Sequence, residues 1–354
     1  SLTYLSWGCL SLLPNLYPHV FLLASLPMTL SGGSCAVYLL TYCYISDVTN
    51  EQTRSFRFSI YSMCIYCSFI LGTAIGDLMV RLQSSHNPYS VIFFLTTFLL
   101  LTCALYTHWC IKESVDIQLG KESRLFLFSH VRHLLSAAVK YRNGHAREIM
   151  FLIMGSITLS LFINTGEMAI SYLSVREKFL WQLPEYSEFN CVVHITLGLG
   201  ALTGVWLFSR VLGLPNMFVA ALLCVSLSAR SYLMAVASSG PEFYMGAIVG
   251  SFFGAHSSFL RTELSRLVPQ HDLGKIFALT AFMEFLTPAA SIPLYTLIYE
   301  KTYLDVPGAV FLFSTVLAAV CAMMMLFAYI CQLVVGEECY NTDFPPERSI
   351  ENPD

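Results

Sequence analysis

Ten apolar runs follow one another along this chain. They lie near residues 1–13, 20–45, 58–80, 90–111, 148–172, 190–209, 215–237, 243–262, 276–298 and 307–334. All but the first are about as long as a helix needs to cross a bilayer, roughly 20 residues. A lipid interior offers the backbone no hydrogen-bond partner, so such segments must close their own bonds as α-helices. The intervals between them carry turn and charge signals: Pro14-Asn15, the stretch from Asp47 to Arg57, Ser84 to Pro88, Arg210 to Pro215, Ser238 to Pro241, Pro269 to Gly274, and Glu300 to Pro307. The pattern predicts an all-α polytopic membrane protein.

Composition narrows the function classes. Of the 354 residues, 12% are charged and 56% hydrophobic, with a mean hydropathy of +0.63. A soluble domain carries about 25% charged residues. That excludes disorder, nucleic acid as a partner, and a water-soluble enzyme. No HExxH, GxSxG or paired-Asp signature points to intramembrane hydrolysis, so the chain is read as no enzyme. The twelve cysteines sit mostly singly inside apolar runs, as at Cys43, Cys103, Cys224 and Cys321, where a thiol behaves as a small hydrophobe. Neither a disulfide framework nor a metal site is suggested, and no cofactor is expected. The chain opens on Ser1 inside an apolar stretch, and the expectation is a piece of a longer protein.

The few basic residues orient the chain. Arg54, Arg57, Lys112, Lys121, Arg124, Arg132, Lys140, Arg142, Arg147, Arg210, Arg266, Lys275 and Arg348 fall on one set of alternate connections. The opposite set has only Arg81, Arg176, Lys178 and Lys301. An excess of Lys and Arg marks the cytoplasmic side, which places the first set and the C-terminus there. The longest connection, 112–147, is expected to hold a basic amphipathic helix, with Leu127, Val131, Leu134, Leu135 and Ala138 opposite Arg124, Arg132, His133 and Lys140. It divides the chain into 1–111 (four spans) and 148–334 (six spans), with an acidic cytoplasmic tail at 335–354.

Two blocks carry a resemblance. Leu30-Ser-Gly-Gly-Ser34, then Tyr38-Leu-Leu-Thr-Tyr-Cys-Tyr-Ile-Ser-Asp-Val-Thr49 and Arg54-Ser-Phe-Arg57, look like the fourth span and following loop of a major facilitator protein. The segments Ser258-Phe-Leu-Arg-Thr-Glu-Leu-Ser-Arg-Leu-Val268, Gly274-Lys-Ile-Phe-Ala278 and Pro293-Leu-Tyr-Thr-Leu-Ile-Tyr299 are similar to its tenth and eleventh spans. More narrowly, the chain resembles the solute carrier 46 family, proton-coupled folate transporter-like. The resemblance runs over about 1–335 and implies a twelve-span fold with about ten spans present, the first two lacking. It also implies transport, and a role for Arg261 in substrate and proton handling. Departures weigh against folate itself: the position of the family's fifth-span glutamate falls at Ser62, and that of its seventh-span histidine near Ile163 or Asn164.

Charge inside a span is costly, about 2.5–3.5 kcal/mol at the bilayer centre, so it is expected to face a cavity or a partner. Asp77, Glu167, Arg230, Arg261, Glu263 and Glu284 qualify, with His194 and His256 as titratable neighbours. Arg261, Glu167, Glu284, Arg230 and His194 form the candidate substrate and proton pathway: the arginines to attract an anion, a carboxylate or His194 to take a proton. Trp206, Tyr232, Phe252 and Tyr295 are candidate lining aromatics. Asp47 with Arg54 and Arg57 is a candidate cytoplasmic gate. Gly246, Gly250 and Gly254 are expected on one helix face, and Pro288 and Pro293 are expected to interrupt the next span. The functional expectation is a secondary transporter, proton-coupled, for a small anionic or polar organic solute such as a folate-like compound, a muropeptide or an organic anion. It would reside in the plasma membrane or the lysosomal membrane. The alternative is a non-transporting, receptor-like relative or an inactive truncated product.

Overall fold

The computed structural model describes residues 2–13, 17–82, 88–112, 132, 134, 136, 138–140 and 145–335. The described residues form helices joined by short turns. In chain order these are α1 (Leu2–Ser11), α2 (Pro18–Ala24), α3 (Leu26–Leu30), α4 (Gly33–Val48), α5 (Glu51–Leu82), α6 (Pro88–Cys110), α7 (Ala146–Phe179), α8 (Leu183–Val205), α9 (Asn216–Val236), α10 (Gly240–Val249), α11 (His256–Leu267), α12 (Gln270–Thr302) and α13 (Ala309–Val335).

Among the described residues, eight stretches are long and apolar enough to cross a membrane: His19–Val48, Thr53–Gly76, Ser90–Cys110, Ala146–Phe179, Leu183–Val211, Asn216–Val236, Asp272–Thr302 and Ala309–Val334. The chain is a multi-pass membrane protein. Two of the ten predicted runs are not among these eight stretches. The first gives only the ten residues of α1. The run 243–262 breaks into α10, a 3₁₀ turn at Ser251–Ala255, and α11. The run 20–45 is also segmented. Pro18 and Pro27 sit in the first turns of α2 and α3, where the missing N–H is harmless, and Gly32 and Gly33 take φ of 77° and 53° between α3 and α4. Pro288 and Pro293, expected to interrupt their span, lie inside an unbroken α12.

The described residues group into two units, one of 1–48 and 68–122, the other of 49–67 and 123–354. In the first, α1 packs on α6. Trp7 stacks obliquely on Phe93 at 5.7 Å, Ser11 Oγ lies 2.7 Å from Ser90 Oγ, and Trp7 Nε1 donates to the Phe21 carbonyl.

The second unit holds α7 to α13 and the start of α5. Its core joins Phe243, Phe253, Phe259 and Phe311 to Val219, Leu223 and Leu227. Glycines set its closest approaches. A Cβ on Gly200 of α8 would collide with the Ser251 carbonyl, and one on Gly254 with the Leu197 carbonyl. The expected single glycine face is therefore split: Gly246 and Gly250 meet α9, while Gly254 meets α8. The intervening 3₁₀ turn has three residues per turn, so a four-residue spacing no longer stays on one side.

Within the connection 112–147, Ala138 is buried, Arg132 is exposed, and Lys140 Nζ lies 3.9 Å from Asp272. Most of the amphipathic helix expected there (Arg124, Leu127, Val131, His133 and Leu135 among its residues) lies outside the described residues, as does the tail 336–354.

Candidate functional site

Four of the five pathway candidates meet as two ion pairs inside the second unit. Arg261 of α11 is 4% exposed, and its Nη2 donates to Glu284 Oε1 of α12 at 2.6 Å. Its Nε donates to Ser257 Oγ, one turn back, at 3.1 Å. The Glu284 side chain is 16% exposed, the more accessible member of the pair. A charge-assisted bond this short between a buried guanidinium and a half-buried carboxylate is strong, and it ties α11 to α12.

The second pair joins α7 to α9. Glu167, 2% exposed, receives Ser231 Oγ on Oε1 at 2.7 Å and Arg230 Nη2 on Oε2 at a long 3.4 Å. Two glycines make room. Gly250 lies where a Cβ would be 2.5 Å from Arg230 Cδ, and Gly166 lies against the ring of Tyr295. Tyr295 is fully buried, its hydroxyl 2.8 Å from Ser314 Oγ.

Arg230 is six residues, about 9 Å, from the C-terminal end of α9, and Arg261 the same distance from the C-terminal end of α11.

The other candidates are placed apart from these pairs. His194 Nδ1 lies 2.7 Å from the Asn190 carbonyl, with the ring 6.2 Å from that of Tyr66. His256 is buried, stacked on Phe253, with Ser156 Oγ and Cys224 Sγ each 3.3 Å from Nε2. Glu263 accepts from Asn216 at 2.7 Å and from Arg266 at 3.1 Å. Those three groups line a cavity of about 200 Å³ with Tyr329 and Gln332. The side chain of Asp77 lies outside the described residues. Of the aromatics, Trp206 and Tyr232 are exposed and Phe252 is half-buried. Of the gate candidates, Asp47 belongs to the first unit, and Arg54 and Arg57 to the second. Arg54 donates to Ser265 Oγ at 2.8 Å and to the Thr49 carbonyl at 3.1 Å, and Arg57 is exposed. Ser62, at the departed glutamate position, lies 3.5 Å from Ser258 Oγ.

Sequence reasoning missed Ser231 and Ser257, which hold the two pairs. Serine is too common in helices to signal such a role. Among the described residues no group of three or more His, Cys, Asp or Glu side chains is placed to hold a metal ion.

Comparison with known proteins agrees with this architecture. The chain is 24% identical over 307 residues to the probable peptidoglycan muropeptide transporter SLC46 of Drosophila melanogaster, covering 85% of this chain and 58% of the relative. It is 23% identical to the proton-coupled folate transporter of Bos taurus, covering 88% of this chain and 66% of the relative. Against the lysosomal proton-coupled steroid conjugate and bile acid symporter SLC46A3 of Mus musculus, identity is 22%, over 87% of this chain and 67% of the relative. The chain thus spans about three-fifths to two-thirds of the length of these relatives. Among solved structures, the human organic anion transporter MFSD10 (TETRAN) aligns with a TM-score of 0.71 at 15% identity, over 91% of this chain and 74% of that one. The E. coli fucose:proton symporter FucP aligns with a TM-score of 0.66 at 13% identity, over 92% of this chain and 80% of that one. These likenesses show the fold alone. The Major Facilitator Superfamily model matches residues 1–292, most of the chain, and with the helical architecture this establishes that the chain belongs to the Major Facilitator Superfamily.

Proposed function

We propose that the chain is the larger part of a proton-coupled secondary transporter for a small organic anion, with Arg261 and Glu284 as the coupling pair. One observation carries the reading: a guanidinium and a carboxylate, both within a span-forming bundle, bonded at 2.6 Å.

Charge balance gives the mechanism. The pair without solute is neutral as a whole. Removing one member of a buried pair leaves an uncompensated charge at a cost of about 3–5 kcal/mol, so an anion cannot simply displace Glu284 from Arg261. A proton on Glu284 removes its negative charge and loosens its hold on the guanidinium. Arg261 then accepts the anionic group of the solute, and the occupied site is again neutral. Proton and anion therefore enter together, and neither is stable there alone. An acidic compartment on the non-cytoplasmic side, such as a lysosome or an acid cell surface, drives the solute toward the cytoplasm. The names of the relatives (muropeptide, folate, steroid conjugate and bile acid) support an organic anion as cargo.

The test is tracer uptake by the full chain in proteoliposomes, offered folic acid, a muramyl peptide and a steroid sulfate. The expected result is uptake of at least one tracer that accelerates as the outside is acidified. Glu284→Gln is expected to abolish that acceleration, and Arg261→Ala to abolish uptake. Uptake equally fast at both pH values in wild type and Glu284→Gln removes the coupling role of the pair.

A further inference from the structure

Glu263 and Arg266 of α11 border an open space. A cavity of about 200 Å³ is lined by these two side chains, by Asn216 at the start of α9, and by Tyr329, Gln332 and Leu333 near the end of α13. The Glu263 side chain is 2% exposed, whereas that of Arg266 is 34% exposed and reaches solvent. Glu263 Oε1 accepts from Asn216 Nδ2 at 2.7 Å and from Arg266 Nη1 at 3.1 Å. A carboxylate offers about four acceptor sites and a guanidinium five donors, so each serves several partners at once. Sequence position sets the depth of the cavity in a membrane. Asn216 is the first residue of the apolar stretch Asn216–Val236, and Gln332 and Leu333 are among the last residues of Ala309–Val334. Both stretches therefore pass from hydrocarbon to water beside the cavity, at the level of lipid headgroups. Along its length, α13 exposes Met323, Phe327, Ile330 and Leu333, an apolar stripe at intervals of four, three and three residues. Leu333 belongs to both the stripe and the cavity wall.

We propose that this cavity binds the zwitterionic phosphoethanolamine headgroup of a membrane lipid. The phosphate lies on Arg266, the ammonium on Glu263, and the acyl chains run along the α13 stripe. Charge, size and donor chemistry select this class. The Glu263–Arg266 pair is neutral as a whole, so an anionic headgroup would leave a net negative charge and a cation a net positive one. A zwitterion meets each sign with its opposite and adds none. The volume is below the roughly 300–1,000 Å³ of sites for drug-sized ligands. It suits a phosphate with a two-carbon amine and excludes an inositol or sugar headgroup. A primary ammonium brings N–H donors that a carboxylate accepts, whereas the quaternary ammonium of choline has none and needs an aromatic cage. Tyr329 is the single ring among the described lining residues and makes no cage. The bound headgroup bridges α9, α11 and α13 at one end of the bundle. The site uses neither Arg261 nor Glu284, and it does not rest on the coupling reading.

The experiment is thermal unfolding of the purified full chain in detergent micelles supplemented with dioleoyl lipids that differ only in headgroup: phosphatidylethanolamine, phosphatidylcholine or phosphatidylglycerol. Phosphatidylethanolamine is expected to raise the melting temperature above both others by about 2 °C, the shift that a bound ligand of modest affinity gives a chain of this size. Arg266→Gln is expected to lose that preference. Glu263→Gln keeps the side-chain shape and removes its charge, so the lining becomes net positive and the preference is expected to turn to phosphatidylglycerol. A carboxylate that only braces α11 would not change which lipid is preferred. Should either variant fail to fold, native mass spectrometry of the wild type with the three lipids in equal amounts is the second measurement. Adducts of phosphatidylethanolamine are expected to exceed those of the other two, and equal adducts overturn the proposal. Soluble O-phosphoethanolamine is expected to give little of the shift, because it lacks the acyl chains; a shift as large as the lipid's overturns a lipid as the occupant. Melting temperatures identical in the three lipids overturn the site. A preference for phosphatidylethanolamine that survives both variants does so too, since it is then a property of the micelle. None of these readouts involves uptake, so a failure of proton-driven transport would leave the lipid site untouched.

Discussion

Ser231 shows how a small side chain holds a costly one in place. Its hydroxyl donates at 2.7 Å to Glu167, whose other oxygen has only the distant Arg230 among the described residues. Removing that donor leaves a carboxylate that is 2% exposed with one long contact. Ser231→Ala is therefore expected to destabilise the chain by about 1–3 kcal/mol, read as a lower melting temperature, while Ser231→Thr, which keeps the hydroxyl, restores most of it. An unchanged melting temperature in Ser231→Ala contradicts this account of Glu167. The charged members of both pairs were legible from sequence, because a charge within an apolar run has to be accommodated. Their pairing was not. Glu167 and Arg230 are 63 residues apart and Arg261 and Glu284 are 23 apart, so packing alone decides which arginine meets which carboxylate.

At the scale of elements, the decisive contact is that of α8 with the 3₁₀ turn before α11. Gly200 and Gly254 each face a backbone carbonyl of the opposing segment, and a backbone cannot move aside as a flexible side chain can. Gly246, by contrast, faces the flexible Met234 side chain at 2.9 Å. Gly200→Ala and Gly254→Ala are accordingly expected to lower the melting temperature much more than Gly246→Ala, since overpacking costs about 1–3 kcal/mol even where some relaxation is possible. Equal effects at the three positions would mean that these segments do not approach as closely as described. Sequence periodicity located the helices because bilayer length and apolar content leave few alternatives. It erred where local geometry departs from the α-helix. The 3₁₀ turn at Ser251–Ala255 split the expected glycine face, and Pro18, Pro27, Gly32 and Gly33 divided one apolar run into three helices.

For the whole molecule, sparse charge is the organising fact. Seventeen of the nineteen basic residues lie outside the apolar runs, and the two within those runs are Arg230 and Arg261. Each is matched to one carboxylate, so a bundle with few charges contains no excess of either sign at these sites. The coupling proposal rests on that neutrality: a proton and an anion together preserve it, and either alone breaks it. The most direct measurement is the external pH of a weakly buffered suspension of proteoliposomes when a transported anion is added without an imposed proton gradient. The account predicts alkalinisation of the medium as protons enter with the anion, and none with Glu284→Gln. Entry of the tracer into wild-type vesicles with no change in external pH would contradict it.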